Sequence, residues 1–162
     1  MIRTLTGRNT DVIGIGEYRI SSTPMATIGL GSCIGLIIHD RDHGYGGLAH
    51  IMLPASNGRK DRPGKYADTA IGTLAEDLRV QGSSKNALAA KLVGGASMFP
   101  GFNGSLNIGE RNIETVRAAL AAERIRIVAE DVGGNVGRSV IYDPGEMGKI
   151  SIRRADGTCT DM

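Results

Sequence analysis

Nothing in these 162 residues supports a function that depends on a strong field of one sign. Lysine and arginine number 19 against 17 acidic residues, a formal net charge of +2. That is too little for a surface that tracks phosphates, so nucleic acid is not expected as a partner. Cysteine is scarce as well. Cys33 and Cys159 are the only two, one inside an apolar segment and one in a polar tail, which excludes a disulfide framework and leaves at least one thiol free. Long apolar runs are missing, so no segment is expected to insert in a membrane. The stretch from Met1 to Gly16 offers no core for a signal peptide. A cytoplasmic protein is the expectation. There is neither an internal repeat nor a low-complexity tract.

What is present suits one compact domain over residues 1–162, with 41% hydrophobic and 22% charged residues and a polar tail after Arg154 expected to fray. Short alternating or continuous apolar runs predict strands at Val12–Ile20, Ala26–Leu30, Cys33–Asp40, Tyr45–Leu53, Leu88–Val93, Ile125–Ala129, Arg138–Tyr142 and Lys149–Arg153. Helical spacing joins Ala67, Ala70, Ile71, Leu74 and Leu78 in one stripe and Ile113, Val116 and Leu120 in another. Strands, helix, strand, helix and further strands make an α+β or layered α/β domain, a mixed sheet covered by helices. The longest irregular loop is Ala55–Lys65.

The chemistry concentrates in a hairpin. Cys33 to Asp40 and Tyr45 to Met52 flank a short loop. If Asp40 pairs with Tyr45, counting places His50 opposite Gly35, and the period of two then sets Cys33 and His50 on one face as diagonal neighbours. A thiol with an ordinary pKa of about 8.5 needs a neighbouring base to attack at neutral pH. His50 is the candidate base. His39 lies six residues from Cys33, roughly 20 Å at strand rise, and His43 is farther. Gly29 and Gly31 precede the cysteine, permitting a sharp bend in which Gly31 and Ser32 form a substrate-binding and oxyanion-binding turn, with the amides of Ser32 and Cys33 as donors. Thr27 stands an even count before Cys33, placing its hydroxyl where it can accept from one His50 ring nitrogen and set the tautomer. From the residues alone, the competing reading is a small buried cysteine beside a hydrogen-bonded core histidine.

Other motifs carry less. Gly29 to Gly35 has the wrong glycine spacing for a dinucleotide fingerprint, and a strand follows it instead of a helix. Gly94-Gly95 and Gly133-Gly134 lack the ending of a phosphate loop and read as turns. Zinc held by Cys33, His39, His43 and His50 is excluded by their separation along the strand, so no metal or other cofactor is expected. Asn103-Gly104-Ser105 matches the glycan acceptor pattern, without consequence in a cytoplasmic protein.

Five segments together carry a resemblance. They are Thr27-Ile-Gly-Leu-Gly-Ser-Cys33, Gly47-Leu-Ala-His50-Ile-Met-Leu-Pro54, Ala90-Lys-Leu-Val-Gly-Gly-Ala-Ser-Met-Phe99, Asn107-Ile-Gly-Glu-Arg-Asn-Ile113 and Ala129-Glu-Asp-Val-Gly-Gly134. They resemble the CheD family from about Gly14 to Arg153. The resemblance implies a chemoreceptor glutamine deamidase, with the family's threonine, cysteine and histidine falling on Thr27, Cys33 and His50. It also implies a fold similar to the catalytic domain of the cytotoxic necrotizing factor toxins. The partners implied are methyl-accepting chemotaxis receptors and a CheC-type phosphatase. Hydrolysis of glutamyl methyl esters, or a mainly regulatory role in binding that phosphatase, are the further readings it allows.

Overall fold

The computed structural model describes residues 9–98 and 107–162; the Asn103-Gly104-Ser105 pattern and Phe99 lie outside them. In chain order the strands are β1 (Asp11–Val12), β2 (Tyr18–Ser21), β3 (Met25–Leu30), β4 (Ile34–Asp40), β5 (Tyr45–Ile51), β6 (Leu88–Gly94), β7 (Arg126–Val132), β8 (Arg138–Asp143), β9 (Lys149–Arg154) and β10 (Cys159–Asp161). Helix α1 (Ala67–Val80) lies between β5 and β6, and α2 (Ile108–Ala122) between β6 and β7. The strands form two mixed sheets, one ordered β2-β5-β4-β6-β7 and the other β1-β3-β8-β9-β10.

Side-chain alternation on β4 explains how these elements stack. Ile34, Leu36 and Ile38 join Ala67, Ile71, Leu74, Ile113, Val116 and Leu120 in one buried cluster under the two helices. Ile37, on the opposite face, joins Met25, Leu30, Leu48, Val93, Val140, Tyr142, Ile150 and Ile152 between the sheets. The order is therefore helices, first sheet, second sheet. Strand β4 is buried on both faces along its whole length, which is why its sequence reads as a continuous apolar run.

The layered α/β expectation holds, with differences that local pattern could not supply. Helices cover only one face of the first sheet; a second sheet covers the other. The single strand expected over Val12–Ile20 is two, β1 and β2, in different sheets, separated by a turn in which Gly16 has φ +77°. Residues 155–162, expected to fray, include β10, which pairs antiparallel with β9. Met162 packs on the cluster between the sheets. Strand β3 carries a bulge between Thr27 and Leu30, made possible by Gly29 at φ +73°. The extra residue turns Ile28 and Gly29 outward while Thr27 and Leu30 both point in. Among the described residues, no helix is long and apolar enough to cross a membrane.

Candidate active site

Three strand ends meet at one end of the first sheet. Ile34, the first residue of β4, pairs with Ile51, the last of β5, and with Gly94, the last of β6. The bulge of β3 lies across from them in the second sheet. Cys33 immediately precedes β4. The hairpin register is the one obtained by counting: Asp40 pairs with Tyr45 and Gly35 with His50. His50 therefore shares the face of Gly35, which looks toward the second sheet. A Cβ placed on Gly35 would stand 3.0 Å from Leu30 Cδ1 and 3.6 Å from Thr27 Cγ2. Cys33 packs against the cluster on that same side and remains partly exposed.

His50 is 1% exposed and Thr27 fully buried. Thr27 Oγ1 donates to the carbonyl of Ile13 at 2.7 Å and lies 2.6 Å from His50 Nδ1. A hydroxyl has one proton, and here it goes to Ile13, so Thr27 must accept from Nδ1–H. That leaves the His50 lone pair on Nε2. Nε2 is buried and has no hydrogen-bond partner among the described residues, Cys33 Sγ included. Such contacts in empty sites commonly close only when substrate arrives. The backbone of His50 is fixed as well: its amide donates to Glu17 O at 3.0 Å, and its carbonyl accepts from Gly16 N at 2.9 Å.

Thr27 reaches His50 by a route different from the one expected. The even count from Thr27 to Cys33 has no meaning along a single strand, because the β3 bulge and the turn Gly31-Ser32-Cys33 intervene. The hydroxyl meets the imidazole across the interface between the sheets.

The turn before β4 is held by its carbonyls. Gly31 O accepts from Ala96 N at 2.8 Å, and Cys33 O from Gly95 N at 2.8 Å. Ser32 O accepts from Asn112 Nδ2 at 2.9 Å. Among the described residues all peptides are trans, so the N–H of each peptide points away from its anchored carbonyl. The amides of Ser32 and Cys33 thereby point away from Ala96 and Asn112, and neither meets an acceptor among the described residues. The backbone of Gly31 is close to Met98, whose Cγ lies 3.2 Å from where a Cβ would sit. Met98 is 46% exposed, so a flexible apolar side chain covers part of the turn that leads to Cys33.

Comparison with known proteins decides the family. Residues 52–154 match the family model described as CheD chemotactic sensory transduction. The chain is 47% identical to the chemoreceptor glutamine deamidase CheD of Thermotoga maritima over 90% of its length and 92% of the relative's. It is 46% identical to a probable chemoreceptor glutamine deamidase CheD of Clostridium botulinum, over 90% and 93%. It is 43% identical to one so named from Archaeoglobus fulgidus, over 81% and 85%. The chain belongs to the CheD family.

The matched span of the CheD model opens at Met52, two residues after His50, so the grouping of Thr27, Cys33 and His50 stands on the geometry above. Burial acts on the pair in one sense. It pushes the Cys33 thiol above its ordinary value and the His50 imidazole below its own. Both effects favour the neutral forms, a thiol and an imidazole on the same face of the sheet. The other histidines are engaged elsewhere. His39 Nδ1 lies 2.6 Å from Tyr142 Oη, and His43 Nδ1 2.9 Å from the Asp40 carboxylate. Cys159 is exposed on β10. Among the described residues no cluster of three or more histidine, cysteine or acidic side chains could hold a metal.

Two contributors escaped the sequence reading. Gly94-Gly95, read there as a simple turn, brings the end of β6 against the backbone of Cys33. Gly94 has φ +112°, and a Cβ on it would overlap the Cys33 carbonyl oxygen. Asn112 is the other. Its signals were its place in the segment Asn107–Ile113 that carries the family resemblance and a polar side chain beside Ile113 on the apolar stripe of α2.

Proposed function

We propose that this chain is a chemoreceptor glutamine deamidase that works through a Cys33 thioester, with His50 as base and Thr27 as the group that orients it. The observation carrying this reading is the Thr27–His50 hydrogen bond, which leaves the imidazole Nε2 unpartnered on the face it shares with Cys33. A purely structural histidine would be expected to have both ring nitrogens satisfied.

The steps balance without a cofactor. His50 Nε2 takes the Cys33 proton as sulfur attacks the side-chain carbonyl of glutamine. The resulting oxyanion meets the amides of Ser32 and Cys33 in the turn that begins at Gly31. Collapse breaks the C–N bond, the imidazolium gives its proton to nitrogen, and ammonia leaves a glutamyl thioester. Water, deprotonated by His50, then opens the thioester, giving glutamate and restoring the thiol. A glutamyl methyl ester would enter the same route and release methanol; ammonia release without any methanol from a methylated fragment would confine the chain to amides.

The test is direct. Incubated with the cytoplasmic fragment of a methyl-accepting chemoreceptor, the protein is expected to release one ammonia per modified glutamine and to raise the corresponding peptide mass by about 1 Da, as amide-to-acid conversion requires. Unchanged peptides at enzyme concentrations near those of the substrate would end the proposal.

Thr27 has a graded role. Thr27→Val keeps the shape but leaves His50 Nδ1 and the Ile13 carbonyl unpaired in a buried place. It is expected to lower kcat by up to about 100-fold and stability by about 1–3 kcal/mol. Thr27→Ser keeps the hydroxyl and should retain most activity. Equal turnover by the valine and serine proteins would show that the hydroxyl does not orient the base.

A further inference from the structure

We infer that Asn112 is a positioning residue for this reaction, its side-chain amide binding the turn of the nucleophile to the strand of the base. The inference rests on the deamidase reading for its catalytic meaning and on geometry for the clamp itself. Asn112 is fully buried within α2. Its Nδ2 donates to Ser32 O at 2.9 Å and to Met52 O at 3.1 Å. One carbonyl adjoins Cys33, and the other lies two residues beyond His50. Both protons of the amide are thus used on segments far apart in sequence that must stay in register at the site.

The chemistry selects asparagine. Two carbonyl acceptors require an NH2 group, so the amide orientation is fixed by its partners. Aspartate would face both carbonyls with oxygen. Leucine would fill the volume and donate nothing. The other end, Oδ1, is buried with no partner among the described residues. A buried unsatisfied acceptor is a standing cost, retained where the opposite end of the group is required. The helix is built to bring the side chain in. Asn107 caps it by accepting from Glu110 N at 3.1 Å, and Gly109 allows contact so close that a Cβ would collide with the Gly95 and Ala96 carbonyl oxygens.

The consequence for catalysis follows from the peptide plane. The Ser32 carbonyl and the Cys33 N–H belong to one trans peptide, so fixing the first aims the second. Asn112 therefore sets an oxyanion donor without touching substrate. Thiol ionisation does not depend on it.

Asn112→Leu is the test, with Asn112→Ala as a second variant should leucine impair folding. Turnover of a receptor fragment is expected to fall by about 100-fold in kcat, the scale of a lost oxyanion donor, with KM changed by less than about twofold. The rate at which iodoacetamide alkylates Cys33, read on its own peptide, should stay within about twofold of the parent. In 15N–1H spectra the amides of Cys33 and Leu53, whose peptide carbonyls lose a donor, should move most. Full kcat, or spectra in which those two amides stay in place, would overturn the inference. A parallel rise in alkylation with falling thermal stability would also overturn it, by showing a general loosening. If the parent protein itself leaves glutamine intact, the deamidase reading falls on that arm, and the clamp is judged by the two amides and the alkylation rate.

Discussion

Cys33→Ala is expected to release no ammonia from a receptor fragment above the uncatalysed rate, a fall of at least about 10⁴-fold in kcat. The size follows from the covalent route. Without sulfur there is no acyl-enzyme, and what remains is the binding turn with a base that has nothing to deprotonate except water. No neighbour can substitute. Cys159, the other thiol, is on the outer edge of the second sheet, and a serine hydroxyl such as that of Ser32 would need a base placed for it to attack. The fold should be little affected, because Cys33 is only partly buried and its backbone is held by Gly95 rather than by its side chain. Thermal unfolding of the variant should therefore track the parent while turnover disappears. Acid-quenched parent enzyme should carry a fraction of covalent glutamyl adduct on the Cys33 peptide. Normal turnover by the alanine protein would remove the nucleophile from the scheme and with it the thioester.

The parts of this site that are local in sequence were legible there, and the parts made by packing were not. The β4–β5 register is set by a short loop and by the cost of a one-residue slip, which would send every core side chain to the wrong face. Counting from Asp40 and Tyr45 was therefore enough to bring His50 opposite Gly35. The second sheet was invisible because nothing in a strand's own alternation says which sheet it joins. Val12–Ile20 reads as one apolar segment, yet its two halves go to opposite layers after the turn at Gly16. Thr27 shows the limit most clearly. Its partner was anticipated, but the parity argument behind it fails at the Ile28-Gly29 bulge, and the contact exists because two sheets are stacked. Asn112 could not be placed from pattern, since its partners at Ser32 and Met52 lie 80 and 60 residues away. Strand β10 is too short and polar to show an apolar period, and it is recognised only by its pairing with β9.

His50→Ala should fail about as severely as Cys33→Ala, because the two act as one unit, and the pH dependence of the parent enzyme tells how the unit is charged. Burial holds the His50 imidazole below its ordinary 6.5 and lifts the Cys33 thiol above its own ordinary value. The third member is a hydroxyl. Thr27 can orient the ring through Nδ1 but brings no negative charge to stabilise an imidazolium, as a carboxylate would. The resting site is thus neutral on both sides, and proton transfer accompanies attack instead of preceding it. The sign of the pH effect follows. Only neutral His50 can accept the proton, so kcat/KM should fall as pH drops through the His50 pKa, giving an acid limb below 6.5 and a plateau through neutrality. Since the thiol of the free enzyme stays protonated, alkylation of Cys33 at pH 7 should be slow and should climb only as pH approaches and passes 9. A preformed thiolate–imidazolium pair predicts the reverse, with rapid alkylation at mildly acidic pH and loss of turnover as the imidazolium deprotonates. Measured side by side on one preparation, the alkylation and kcat/KM profiles separate the two. Fast labelling of Cys33 at pH 6 would mean that the buried pair is already ionised and that His50 serves first as an acid.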